Sequence, residues 1–161
     1  MVKVLFVCSG NICRSPTAEG ILRARLDEAG LGRRVVVDSA GTHDFHAGDP
    51  PDARSAATAL ARGIDISGQR ARKVRADELA GCDVIVALDR GHREALRRLA
   101  PPALHPRIRL LLDFLPGAAG ADVPDPYYGG PDGFERVFDL IDTAVAGLIA
   151  HLRQAHGVAA A

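Results

Sequence analysis

The sequence predicts a doubly wound α/β fold, a parallel sheet covered on both faces by helices. Three observations carry this. Short apolar runs rich in β-branched residues alternate with segments of helical period along the 161 residues. The first run, Val2 to Val7, is apolar almost throughout, as a strand buried on both faces requires. No repeat or linker divides the chain, so residues 1–155 read as one domain, long enough to bury about two thirds of its unfolded surface. The Ala-rich end, 156–161, is expected to fray.

Val2–Val7 is the first strand. A helix over Pro16–Ala29 follows, with Ala18, Leu22, Leu26 and Ala29 on one face. Ser15 offers it a capping hydroxyl, Pro16 suits its first position, and Gly30 and Gly32 close it. Arg34–Asp38 is the second strand and runs into Ser39-Ala40-Gly41-Thr42. A polar loop through His43, Phe45 and His46 leads to a helix from about Pro51 to Arg62, stopped at Gly63. Asp83–Leu88 is the third strand, and Asp89 caps a helix through Leu96 and Leu99. Ile108–Leu112 is the fourth strand, and Pro124–Pro131 a turn-rich loop. Asp132 and Glu135 make a capping-box pattern before the last helix. The stripe of that helix (Phe134, Val137, Phe138, Ile141, Val145, Leu148, Ile149, Leu152) is the clearest 3.6-residue period in the chain.

Twenty basic and twenty acidic side chains cancel, which argues against nucleic acid or an anionic membrane as the main partner. No apolar run reaches the roughly eighteen residues a membrane span needs. Met1-Val2-Lys3 leads straight into a strand, unlike a secretory signal. Three cysteines, an odd number, fit no disulfide framework, so a reducing cytoplasm is the expected location. No second close Cys or His pair completes a tetrahedral set, so no metal site is expected.

The chemistry concentrates in Val7-Cys8-Ser9-Gly10-Asn11-Ile12-Cys13-Arg14-Ser15-Pro16. Five residues separate Cys8 from Arg14, and a turn of that length between a strand and a helix can wrap one tetrahedral oxyanion with its backbone N–H groups. Gly10 and Asn11 tolerate the positive φ such a turn needs. The sulfur then lies beneath the anion's central atom, and the arginine fork can hold two oxygens. The helix N-terminus adds its positive end. These features lower a thiol's pKa from about 8.5 into a range of about 3.5–7.5. The motif is a phosphate site with a nucleophile in its floor.

Other residues carry two readings. Asp125, between Pro124 and Pro126, is either an Asp-Pro turn or a general acid held by its prolines. Cys13 is either a small buried residue or a thiol able to trap oxidised Cys8 as a disulfide. Cys82 belongs to the core. The cluster Arg70, Arg72, Lys73 and Arg75 reads as a solvated face, with a pocket-facing Arg72 the alternative.

Cys8 to Pro16, Asp38-Ser39-Ala40-Gly41-Thr42 and Asp125-Pro126-Tyr127-Tyr128, in that order, closely resemble the low-molecular-weight protein tyrosine phosphatases over essentially the whole chain. The resemblance implies a flavodoxin-like three-layer α/β/α domain with a four-stranded parallel sheet. It implies hydrolysis of phosphotyrosine and small aryl phosphates through a phosphocysteine, with no metal or organic cofactor. The implied partner is a phosphotyrosine-containing protein or small aryl phosphate, with inorganic phosphate as product, acted on by a monomer or weak dimer. Carried over by residue, Cys8 is the nucleophile, Arg14 holds the phosphoryl oxygens and Asp125 protonates the leaving phenol. Ser9, Gly10, Asn11, Ile12 and Cys13 form the substrate-binding loop, braced by Asn11 and Ser39, while Ser15 donates to the Cys8 sulfur. Phe45 stands where the family often has Trp or Tyr and would wall the substrate ring, with Tyr127 and Tyr128 opposite. Asp89 matches an acidic position that orients loop residues. Where many members have a His, this chain has Gln69, which can hydrogen-bond but not carry charge.

Three alternatives share parts of this pattern. An arsenate reductase needs further cysteines to relay a disulfide, and only Cys82 lies outside the loop. Arginine phosphatases of the same fold have Thr where Ile12 stands and lack the tandem tyrosines. A non-catalytic phosphate-binding module is expected to have lost Cys8 or Arg14.

Overall fold

In the computed structural model the strand with the most continuous apolar run is buried on both faces from Val4 onward. The structure describes residues 1–130 and 132–160, with the Tyr128 side chain outside the description. Strand β1 (Val2–Cys8) pairs in parallel with β2 (Val35–Gly41) on one side and β3 (Val84–Ala87) on the other. β4 (Ile108–Leu110) completes the order β2-β1-β3-β4 by pairing with β3, again in parallel. Alternation of side chains divides the core. Val4 and Phe6 pack with helices α1 (Arg14–Glu28) and α4 (Gly133–Ala155) through Ile21, Leu22, Phe138, Ile141 and Leu148. Leu5 and Val7 face the opposite way, toward Ile85, Leu110 and Leu96 of α3 (Arg90–Leu99). The short α2 (Ala53–Ala61) packs against α1 and α4. Truncating a fully buried ring such as Phe6 to Ala costs about 3–5 kcal/mol in cores of this kind. The flavodoxin-like fold expected from the resemblance is present.

α4 lies unusually close to the chain after β4. A Cβ on Gly147 would fall 1.8 Å from the Phe114 carbonyl oxygen, so only glycine fits there.

Several elements differ from expectation. α1 begins at Arg14, two residues early, with Cys13 as its N-cap and no side-chain cap. The Ser15 hydroxyl, expected to cap, turns toward the Cys8 sulfur instead. Ala29 is exposed and lies outside the buried face. β2 continues through Ser39 to Gly41, in register with the end of β1. β4 stops at Leu110, because Leu111–Phe114 tightens into a 3-10 turn whose Asp113 carboxylate accepts from the Leu110 and Gly120 amides. Asp132 makes no capping hydrogen bond: its backbone is already helical (φ −80°, ψ −8°) rather than extended, so its carboxylate does not reach back over the first turn. The end of the chain does not fray as expected through residue 158. Val158 is 6% exposed and its amide donates to Leu152 O at 3.2 Å, tying the segment to the first core. Among the described residues, no helix is long and apolar enough to cross a membrane.

From β1 the chain passes outward to β2 and then crosses to β3 on the other side of β1. The crevice at the carboxyl ends of β1 and β3 is therefore the switch point at which such sheets bind ligands. Cys8 ends β1, and Leu88-Asp89 comes directly after β3.

Candidate active site

The loop between β1 and α1 is built from the backbone outward. Thr42 N–H donates to Cys8 O (2.8 Å), His43 N–H to Ser9 O (3.1 Å) and Asp52 N–H to Ile12 O (2.8 Å), so the carbonyls of the loop are held from outside. Among the described residues no protein group accepts from the amides of residues 10–13. That is the arrangement of an anion nest. Asn11 sits at φ +58°, the only non-glycine with positive φ among the described residues, which an Asn tolerates better than most side chains. Gly41 is required for close approach: a Cβ there would lie 2.6 Å from Ser9 O.

Side chains brace the turn from beneath. Buried Asn11 donates through Nδ2 to Ser15 Oγ (2.8 Å) and Ser39 Oγ (3.0 Å), and accepts at Oδ1 from the Arg72 amide (3.1 Å). Ser15 Oγ, already an acceptor from Asn11, lies 2.9 Å from Cys8 Sγ, with Ala40 O a more distant acceptor at 3.5 Å. Ser39 Oγ donates to Glu19 Oε1 (2.8 Å), a carboxylate 6% exposed that also accepts from Arg23 Nε (3.1 Å). Burial raises the Glu19 pKa, opposed by those two donors. Gln69 fills the position expected to help hold the loop. Its Nε2 donates to Pro16 O (3.0 Å) and its Oε1 lies 3.5 Å from Ser39 Oγ.

Arg14 is 4% exposed and joins the loop to the segments beyond β3. Nη1 donates to Asp89 Oδ2 (2.9 Å) and Val123 O (2.8 Å), while Nη2 lies 3.7 Å from Asp125 Oδ2. Asp89 also caps α3 by accepting from His92 N–H (2.9 Å), so it both caps the helix and orients the arginine. Val123 N–H donates to Leu88 O (2.9 Å), which fastens the start of the Asp125 loop to the end of β3. Asp125 itself caps the 3-10 turn Pro126–Tyr128 through Oδ1 (Tyr127 N–H, 3.0 Å) while Oδ2 faces Arg14. The turn reading and the cleft reading of Asp125 thus both describe it.

A cleft of about 380 Å³ opens over the loop, lined by Cys8, Ser9, Gly10, Ile12, Cys13, Arg14, His43, Phe45, His46, Asp125 and Tyr127. Phe45 is 77% exposed and stacks on His43 (centroids 4.9 Å apart, planes 10° apart). The Arg54 guanidinium, held by both oxygens of Asp52, covers the Tyr127 ring at 5.2 Å. Asn11, Ser15 and Ser39 lie beneath the cleft rather than in it. Tyr128, expected beside Tyr127, lies outside the described side chains. Arg72 does not face the pocket; it pairs with Asp38 (2.9 Å) and Glu78 (2.8 Å).

A family profile for low molecular weight phosphotyrosine protein phosphatases matches residues 3–157. The chain belongs to that family. A low molecular weight protein-tyrosine-phosphatase of Streptomyces coelicolor is 47% identical over 155 residues, covering 94% of each chain. The low molecular weight protein-tyrosine phosphatase A of Mycobacterium bovis is 46% identical over 147 residues, covering 90% of this chain and 88% of its own. Crystal structures of an Entamoeba histolytica protein tyrosine phosphatase (TM-score 0.92, 35% identity, 97% of this chain and 99% of that one) and of YfkJ from Bacillus subtilis (TM-score 0.90, 40% identity, 96% of each) share the fold. Membership in this low molecular weight phosphatase family makes the protein a protein tyrosine phosphatase, working through a phosphocysteine.

Two residues of the site had no motif to announce them. Glu19 sits on the buried face of α1, its one sequence signal an Arg four residues on. His92, third in α3, is buried at 4% exposure against Ser9 and Arg14. Cys13 is a free thiol whose pKa burial pushes up to about 12, against a hydrogen bond with Ser55. Its side chain is buried at 6% exposure, as the first of its two readings expects. Cys82 is fully buried, as expected of a core residue.

Proposed function

We propose that Cys8, Arg14 and Asp125 carry the hydrolysis of phosphotyrosine, and that the loop from Ser9 to Cys13 holds the phosphoryl group. What supports this is convergence on one cleft: a thiol 2.9 Å from a braced hydroxyl, and a buried guanidinium that lies 3.7 Å from the only carboxylate lining the cleft among the described residues. The Cys8 thiolate attacks phosphorus, the S–P bond forms and the P–O bond to the phenol breaks. Asp125 passes its proton to the departing oxygen, help worth roughly 10²–10⁴-fold. A water then attacks phosphorus, Asp125 takes its proton, the S–P bond breaks and inorganic phosphate leaves. Splitting the displacement in two leaves each step easier. The loop amides and Arg14 are fixed before the charge develops, so little reorganisation is needed at the moment of reaction.

Ile12, Phe45 and Tyr127 give the cleft an apolar and aromatic wall suited to an aryl group. A flat ring between Phe45 and Tyr127 would be held mainly by apolar contact. Specificity constants for phosphotyrosine, phosphoserine and phosphoarginine test this. Phosphotyrosine should exceed both others by at least about tenfold, the scale of one good apolar contact. Equal constants for phosphoarginine would overturn the role given to Ile12.

A further inference from the structure

His92 belongs to neither the motif nor the cleft wall, yet it touches both halves of the catalytic loop. Its Nε2 lies 2.8 Å from Ser9 Oγ and 3.5 Å from Arg14 Nη2. Arginine can only donate. Nε2 is therefore the acceptor nitrogen, taking the Ser9 hydroxyl proton and facing the guanidinium edge, and the ring proton resides on Nδ1. That nitrogen has no partner of hydrogen-bond geometry among the described residues, and Asp89 Oδ1 is 3.2 Å from it. Asp89 holds the other arm of the same guanidinium. Asp89 and His92 thus grip Arg14 at Nη1 and Nη2, and His92 alone extends the grip to the residue after Cys8.

We propose that His92 is a positioning residue for the phosphatase reaction, its buried ring placed so that Nε2 holds the Ser9 hydroxyl and the Nη2 edge of Arg14 in register with Cys8. The proposal rests on the assignment of Arg14 as the ligand of the phosphoryl oxygens. Packing alone does not call for a histidine here. An apolar side chain would fill the space without burying a ring nitrogen that lacks a partner, an arrangement that costs stability. The ring's charge state fits the acceptor role: burial and then Arg14 push its pKa down to about 4, against the attraction of Asp89, Asp125 and Asp122. At neutral pH it is uncharged and leaves the positive potential at the cleft to Arg14.

The test compares His92→Gln and His92→Leu with the unaltered protein. Gln places an acceptor oxygen near the Nε2 position and cannot take a charge; Leu keeps the volume and removes the acceptor. Circular dichroism and thermal melting establish folding, steady-state kinetics on phosphotyrosine give kcat and KM, and calorimetry with tungstate reads the anion site without turnover. The Leu variant should lose about tenfold or more in kcat and in tungstate affinity, as expected for a hydrogen bond next to a charged group, while Gln recovers most of both. His92→Asn ends near the Nδ1 position and cannot reach Ser9; it should behave as Leu does, and keeps the contrast available if Leu does not fold. Unchanged kcat and tungstate affinity in a folded Leu or Asn variant would overturn the proposal. So would equal losses in Gln and Leu. Cys8→Ser, run alongside, reports on the reaction assignment separately: hydrolysis surviving in it would overturn that assignment without touching the Gln-to-Leu contrast in tungstate binding.

Discussion

The phosphate loop and the acid loop meet at the same cleft but are held in opposite ways. In the span 8–15, Cys8, Asn11, Cys13, Arg14 and Ser15 are buried, and the loop is braced by side chains from three directions: Ser39 and Glu19 beneath, Gln69 at one edge, Asp89 and His92 beyond Arg14. Asp125 has a side chain 38% exposed, and its loop is anchored at Val123 and by its own short turn. The difference tracks the chemistry. An oxyanion hole stabilises charge best when its dipoles cannot relax. A group that must give and then retake a proton needs access to water and to the leaving oxygen. On the proposed assignment, the tightly braced segment is the one that would bind charge and the more exposed one is the one that would move protons.

Arg14→Lys should produce the largest break. Lysine offers a point charge in place of a fork and leaves Asp89 and Val123 O without their donor. A loss in kcat/KM of about 10²–10³, the scale of losing one oxyanion donor, is the expected result in steady-state assays. Asp125→Ala should come next and should be selective, slowing phosphotyrosine by about 10²–10⁴ but p-nitrophenyl phosphate, with its better leaving group, much less in the first step. An equal loss on both substrates would mean that the acid loop is structural rather than a proton donor.

Asn11→Ala should sharpen the comparison by showing that the phosphate loop is also a stability element. It strands Ser15, Ser39 and the Arg72 amide, and puts at φ +58° an alanine, which tolerates that conformation less well than asparagine. Denaturant titration should show about 1–3 kcal/mol lost, while Asp125→Ala loses little. Asn11→Gly relieves the backbone but not the missing bonds, so it should recover only part.

Two buried groups make stability depend on pH. The pKa of His92 falls from 6.5 to about 4 on folding, so the unfolded chain binds the extra proton first. That contribution is intact above about pH 6.5, drains away as pH falls toward about 4, and is constant below. The Cys13 pKa rises from 9.0 to about 12, so its contribution is intact below pH 9 and is lost as pH climbs toward 12. Melting temperatures across pH should fall less in the acid window for His92→Gln and less in the alkaline window for Cys13→Ala. Unchanged profiles would mean that neither group is buried in solution as it is here.

Much of the fold was legible because strand and helix periods in this chain are clean. The four strands, the Asp89 cap and the α4 stripe follow directly from them. The start of α1 was misread because Ser15-Pro16 looks like a cap locally, whereas tertiary demand turns Ser15 toward Cys8. Asp132 failed as a cap for a conformational reason that spacing does not encode. In the site, Cys8 and Arg14 were visible as residue types at meaningful spacing, whereas Asp125 read locally as a turn and gained its role only through the family resemblance. His92 and Glu19 were not visible, because each works through contacts over long sequence separations, Ser9 to His92 and Glu19 to Ser39.

The central claim is that phosphate passes through Cys8. With p-nitrophenyl phosphate, Asp125→Ala should form the phosphocysteine readily and hydrolyse it slowly, since the second step lacks its base. Quenching that variant on the millisecond scale, digesting it and weighing the peptide that contains Cys8 should show one added phosphoryl group, absent from Cys8→Ser treated the same way. Turnover with no label on Cys8, or label on another residue, would contradict the account.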